Sequence, residues 1–131
     1  MAGEPILVID DNPANASLIT FLLESSGYEV RSAGDADEAL ALLDEFRPCL
    51  IMMDLQLPGM DGLALTRRLK ASPETRDILI VALTAYAMKG DAERAREAGC
   101  DEYITKPINT RTLPSVIAGH LQNAFGSTRS D

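Results

Sequence analysis

The chain is poor in residues that several functions need. Its 131 residues include no tryptophan, one histidine and two cysteines. Cys49 and Cys100 lack the paired spacing of a zinc site, and two such cysteines read as small buried hydrophobes rather than as a disulfide. The lone His120 falls between Ile117 and Leu121 on an apolar stripe, with no acidic neighbour in sequence to build a phosphohistidine motif. It reads as a core-flanking residue. No apolar run approaches the ~20 residues that a membrane-spanning helix needs. Met1-Ala2-Gly3-Glu4-Pro5 carries no positive charge ahead of its apolar run, unlike a secretory leader, so the expected location is the cytoplasm. Bases are outnumbered, 12 against 20 acids, and the net charge of −8 opposes a polyanion. Only Arg67, Arg68 and Lys70 cluster, as the wet face of a helix, and direct binding of nucleic acid is not expected. A glycine-rich phosphate loop is also missing, so a bound nucleotide is not indicated.

What is present is a series of short, uniformly apolar runs. Ile6-Leu7-Val8-Ile9 and Leu50-Ile51-Met52-Met53 carry no alternating polar residue, as suits strands covered on both faces of a parallel sheet. Further strands are predicted over Tyr28–Ala33, Asp77–Leu83 and Glu102–Thr105. Between them lie helical patterns. Asn12 and Pro13 start the first helix, whose buried stripe is read as Leu18, Ile19, Leu22 and Leu23, and Gly27 ends it. Asp35 and Glu38 open a second with core face Ala39, Leu40, Leu42 and Leu43. A third runs from Gly62 to Lys70 with Leu63, Leu65 and Leu69 inward. A fourth, roughly Lys89 to Ala98, has no large apolar residue after Met88, and loose packing is expected for it. The last carries Leu113, Val116, Ile117, Leu121 and Phe125. Pro114 places its start near Thr112. Five strands alternating with five helices predict a doubly wound parallel α/β domain, one domain with a core of about residues 5 to 125 and a short polar tail.

The carboxyl ends of these strands share a chemistry. Asp10 and Asp11 follow the first strand and Asp54 ends the third, at the edge where open α/β sheets bind ligands. Three carboxylates in one depression repel each other unless a cation sits among them. Oxygen-only donors with room for water favour Mg²⁺. Thr84, after the fourth strand, and Lys106, after the fifth, add the hydroxyl and the ammonium that a phosphoryl group needs for its remaining oxygens. An aspartate can itself attack phosphorus and hold an acyl phosphate.

Those residues, in this order, resemble a response-regulator receiver domain of bacterial two-component signalling. The resemblance covers residues 5 to about 125. It rests on Asp10-Asp11, Asp54 with Pro58-Gly59-Met60-Asp61-Gly62, Thr84-Ala85, and Tyr103 with Lys106-Pro107. It implies the flavodoxin-like strand order 2-1-3-4-5. It implies that Asp54 accepts a phosphoryl group from a phosphohistidine on a histidine kinase or histidine phosphotransfer protein. Mg²⁺ would be held by Asp11, Asp54 and the main-chain carbonyl of Gln56, with Asp10 acting mainly through a metal-bound water. Thr84 and Lys106 would hold the phosphoryl oxygens, and Lys106-Pro107 would be a cis peptide. Thr84 would move toward the phosphoryl group and Tyr103 turn inward, reshaping the surface of the fourth helix, fifth strand and fifth helix for a downstream protein. The stretches around Thr84 and Cys100 are most similar to stand-alone DivK-like regulators and to hybrid-kinase receivers.

Gln56 and Tyr86 are expected to border the phosphoryl group. The Tyr86 ring either restricts attacking water and prolongs the phosphorylated state, or is a surface aromatic without kinetic effect. Asp61 reads as a turn former. Within the 131 residues no output domain is expected. The options are action on a separate partner, onward relay, or a piece of a longer hybrid kinase. Phosphorylation-dependent homodimerisation is open. An aspartyl-phosphate phosphatase is disfavoured, because the position two residues after Asp54 is Gln56 rather than a second acid. The expected protein is therefore a phosphoacceptor rather than an enzyme with turnover. The alternative is an interaction module that works without phosphorylation.

Overall fold

The computed structural model describes residues 4–55, 62–84, 91–105 and 109–122. Strands and helices alternate: β1 (Pro5–Ile9), α1 (Pro13–Ser25), β2 (Glu29–Ala33), α2 (Ala36–Leu43), β3 (Leu50–Asp54), α3 (Gly62–Ala71), β4 (Leu79–Thr84), α4 (Asp91–Ala98), β5 (Glu102–Thr105) and α5 (Leu113–Leu121). All five strands are parallel in one sheet of order β2-β1-β3-β4-β5, as expected.

The pleat explains the uniform apolar runs. Successive side chains of a strand point to opposite faces, and both faces are covered. Leu7, Ile9, Ile51, Met53, Ile80 and Ala82 meet α2, α3 and α4 through Ala39, Leu43, Leu65, Leu69 and Ala95. Ile6, Val8, Leu50, Met52, Val81 and Leu83 meet α1 and α5 through Ile19, Leu23, Leu113 and Ile117. β3 is buried at every position. Full burial of each of its large side chains stabilises the fold by roughly 1.5–3 kcal/mol over exposure.

Local chemistry sets the helix ends. The Asn12 side chain accepts from the backbone N–H groups of Ala14 and Asn15, and Pro13 occupies the first helical turn, where no donor is lost. Gly27, at φ +99°, closes α1, with Tyr28 N–H donating back to Leu23 O. Asp35 caps α2 by accepting from Glu38 N–H, while Glu38 reaches back to Gly34 N–H. α5 begins at Leu113 after Thr112, with Pro114 in its first turn, as the sequence indicates.

Several expectations are corrected. Leu18 is exposed and Leu22 only partly buried, whereas Ala16 is buried with Ile19 and Leu23. α1 is apolar on most of its circumference, so spacing alone does not select the inward stripe. On α2, Leu40 and Leu42 lie at the margin while Ala36 joins the core. Tyr28 precedes β2, and β4 starts at Leu79 rather than Asp77, because a turn continues to Ile78, whose N–H donates to Thr75 O. Both cysteines are free, Cys100 buried and Cys49 partly so. His120 flanks the core, its Nδ1 4.0 Å from Glu102 Oε2. The expected helical residues from Lys89 to Gly90, and Phe125, lie outside the described residues. No described helix is long and apolar enough to cross a membrane.

Candidate functional site

Parallel pairing brings the carboxyl ends of β1 and β3 together. Ile9 is in register with Met53, so Asp10 and Asp54 leave adjacent strands at the same level. One carboxylate oxygen from each of Asp10, Asp11 and Asp54 lies within 4.8 Å of the others. Asp10 and Asp54 are each 2% exposed and Asp11 is exposed. Two ionised oxygens at that spacing repel by roughly 3 kcal/mol at an effective dielectric constant near 20. The donor set fits a hard divalent cation: all oxygen, two carboxylates fixed in the fold and one reachable from solvent.

Asp10 is held in place by its own helix. Its Oδ1 accepts from Asn12 N–H at 2.9 Å and its Oδ2 from Asn15 Nδ2 at 3.0 Å. The role of Asn15 is not legible in the sequence. An Asn one turn into a helix, five residues after an acid, gives no signal until the strand–helix corner is built. Asp54 is positioned from the other side. Gly62 N–H donates to Leu55 O at 3.1 Å, and a Cβ on Gly62 would stand 2.5 Å from the Asp54 carbonyl oxygen. The start of α3 therefore lies directly against the end of β3, and only glycine fits there. Gly62 is legible in sequence as part of a turn; its contact with Asp54 is not.

Thr84 ends β4, buried, one position beyond Leu83, the register partner of Asp54. Tyr103 pairs with Ala82 and lies half-buried against the core on the α2–α3–α4 side. Lys106, Pro107, Gln56, Asp61 and Tyr86 lie outside the described residues. Beside Asp10 and Asp11 a groove of about 490 Å³ runs between α1 and the β2–α2 corner, past Thr20, Phe21, Glu24 and Glu38. Phe21 is 67% exposed on its wall.

The arrangement can hold a divalent cation and place a buried carboxylate beside a hydroxyl at an open sheet edge. β1 also sits at the point where the strand order reverses, with β2 on one side and β3 on the other. A flavodoxin-like sheet with three acids at that reversal is the build of a two-component signalling module. The chain belongs to the response-regulator receiver domain family, whose family model matches residues 6–118. It is 44% identical over 119 residues to the polar-differentiation response regulator DivK of Brucella anthropi, covering 91% of this chain and 97% of that one. The DivK of Brucella abortus matches at the same identity and coverage. Among solved structures, a CheY-like receiver domain from Methanospirillum hungatei superposes with a TM-score of 0.86 at 30% identity, covering 96% of this chain and 99% of that chain. The receiver domain of a sensor histidine kinase from Pseudomonas aeruginosa, with magnesium coordinated in its active-site cleft, gives a TM-score of 0.81 at 36% identity, covering 95% and 99%.

Proposed function

We propose that this receiver takes a phosphoryl group onto Asp54 from a phosphohistidine of a histidine kinase or histidine phosphotransfer protein. The observation that carries this reading is the convergence of Asp10, Asp11 and Asp54 at the carboxyl edge of β1 and β3. An Asp54 oxygen forms the new P–O bond as the P–N bond of the donor breaks, and the departing imidazole takes up a proton. Asp11 and Asp54, with the Gln56 carbonyl, would hold Mg²⁺, and Asp10 would act through metal-bound water. The ion, when bound, neutralises the carboxylates and the charge on the transferring group. Thr84 and Lys106 hold the remaining phosphoryl oxygens. Tyr103 responds with Thr84 and changes the α4–β5–α5 surface that a downstream protein reads. This receiver acts as a cytoplasmic phosphoacceptor, with self-catalysed transfer and slow autodephosphorylation as its chemistry. The acidic groove beside the site and the exposed Phe21 ring suit a protein donor approaching along α1.

Intact mass after incubation with Mg²⁺ and acetyl phosphate tests the reading. One added phosphoryl group is expected, absent in Asp54→Asn and in EDTA. Hydrolysis of the donor without an adduct would indicate a phosphatase. Neither adduct nor hydrolysis, in a folded protein that binds Mg²⁺, would indicate a module that signals without phosphorylation.

A further inference from the structure

At the other edge of the sheet, away from the acids, one ammonium joins three elements. Lys70, at the end of α3, was expected on a solvated face with Arg67 and Arg68. Those two are exposed, but Lys70 turns inward and its side chain is only 21% exposed. Its Nζ donates to Arg76 O at 3.1 Å, Ile78 O at 2.8 Å and Asp101 Oδ2 at 3.0 Å. An ammonium has three protons, and all three are used. The same Asp101 oxygen accepts from Ile80 N–H at 2.8 Å, and Asp101 N–H donates to Ile80 O at 2.8 Å. The lysine stem covers the end of α4: a Cβ on Gly99, at φ +110°, would stand 2.7 Å from Lys70 Cγ. Cys100 N–H bonds back to Ala95 O, and its buried thiol contacts Thr66 Oγ1 of α3 at 3.7 Å.

This clamp fastens the amino ends of β4 and β5, whose carboxyl ends carry Thr84 and Thr105. It also holds the end of α4, whose buried side chains among those described are only Ala95 and Ala98. The methyl groups of Ala95 and Ala98 by themselves fix a helix weakly against sliding. A local displacement at the Thr84 end becomes a rotation of α4 and β5 only if their opposite end stays fixed. Without a fixed end it dissipates as disorder.

We infer that Lys70 is a positioning residue of the switch: its clamp on Asp101 and the β4 turn is the fulcrum about which α4 and β5 respond to events at Asp54. The inference rests on the proposed phosphorylation of Asp54. Among the described residues Lys70 touches none of the site, so its removal separates chemistry from response.

The test measures amide hydrogen exchange across residues 91–105, with and without acetyl phosphate and Mg²⁺, in wild type, Lys70→Met and Asp101→Asn. Asp101→Asn keeps an acceptor for Ile80 N–H while removing the ion pair, and serves if Lys70→Met does not fold. Adduct mass is read in the same samples. Wild type should show a phosphorylation-dependent change in exchange. The variants should take up the phosphoryl group at a rate within about twofold of wild type, while that change shrinks roughly fivefold, the population effect of losing one net hydrogen bond. If exchange rises equally in both states and the phosphorylation-dependent difference survives, Lys70 is only structural and the inference is overturned. An adduct on wild type with no change over residues 91–105 overturns it too. No adduct on wild type overturns the phosphorylation reading and the inference with it.

Discussion

α3 and α4 cover the same face of one sheet by different means. α3 drives Leu65 and Leu69 into the core and seats Gly62 against the Asp54 backbone. α4 offers Ala95 and Ala98, and at its carboxyl end the structure substitutes a polar clamp for apolar area. The difference separates two requirements of a signalling domain. On the proposed reading, the helix that follows β3 must not move, because Asp54 moves with it. On the same reading, the helix on the responding surface, α4, must move without unfolding. Large side chains interlock and resist displacement, whereas small ones slide and rely on hydrogen bonds at a defined point.

The comparison can be broken most forcefully at Leu65. Leu65→Ala should cost about 2–5 kcal/mol of stability, read as a lower urea midpoint, because the side chain is fully buried among residues that relax only in part. Gly62→Ala should cost about 1–3 kcal/mol through overpacking against the Asp54 carbonyl. Unlike Leu65→Ala, it should also slow phosphoryl uptake from acetyl phosphate even where the protein is fully folded. On α4 the corresponding probe, Ala95→Gly, should cost only about 1 kcal/mol, mostly helix propensity. If Ala95→Gly destabilised as much as Leu65→Ala, α4 would be as firmly packed as α3 and the contrast would fail.

The smallest expected effect sharpens the contrast through pH. Burial holds the Cys100 thiol above its ordinary range, with the Thr66 hydrogen bond opposing the shift. The fold therefore favours the neutral thiol over the thiolate. Its contribution to stability is complete below the unfolded thiol's pKa of about 8.5 and is lost as pH rises through the higher folded value. Wild type should thus lose more stability than Cys100→Ala between neutral and alkaline pH in urea titrations, with exchange at the α4–β5 junction rising first.

Much of this architecture was legible in the chain. Uniform apolar runs such as Leu50–Met53 have few explanations besides a strand buried on both faces, and caps such as Asn12-Pro13 and Asp35 with Glu38 mark helix starts by local chemistry. The acids were legible because each sits at the end of such a run. What was not legible depends on neighbours distant in sequence. Ala16 is buried and Leu18 exposed because the position of the sheet, not the hydrophobicity of α1, decides which stripe turns inward. Lys70 reads as a solvated base until the β4 turn and Asp101 supply carbonyls and a carboxylate around it. Asn15 and Gly62 acquire roles only when the corner beside Asp10 and the start of α3 against Asp54 are in place.

The register of β1 with β3 has a consequence for how the protein acquires its site. The acids at positions 10, 11 and 54 belong to no local fragment. Asp10 and Asp11 are adjacent in sequence, but Asp54 joins them only when Ile9 lies beside Met53. An unfolded or partly synthesised chain therefore carries an adjacent pair of carboxylates, a third far along the chain, and no assembled trio. A cation that binds the assembled trio stabilises the completed sheet by mass action and leaves unpaired strands unaffected. The proposed metal requirement would thus double as a quality check, since only molecules whose first and third strands are correctly paired could compete for the ion.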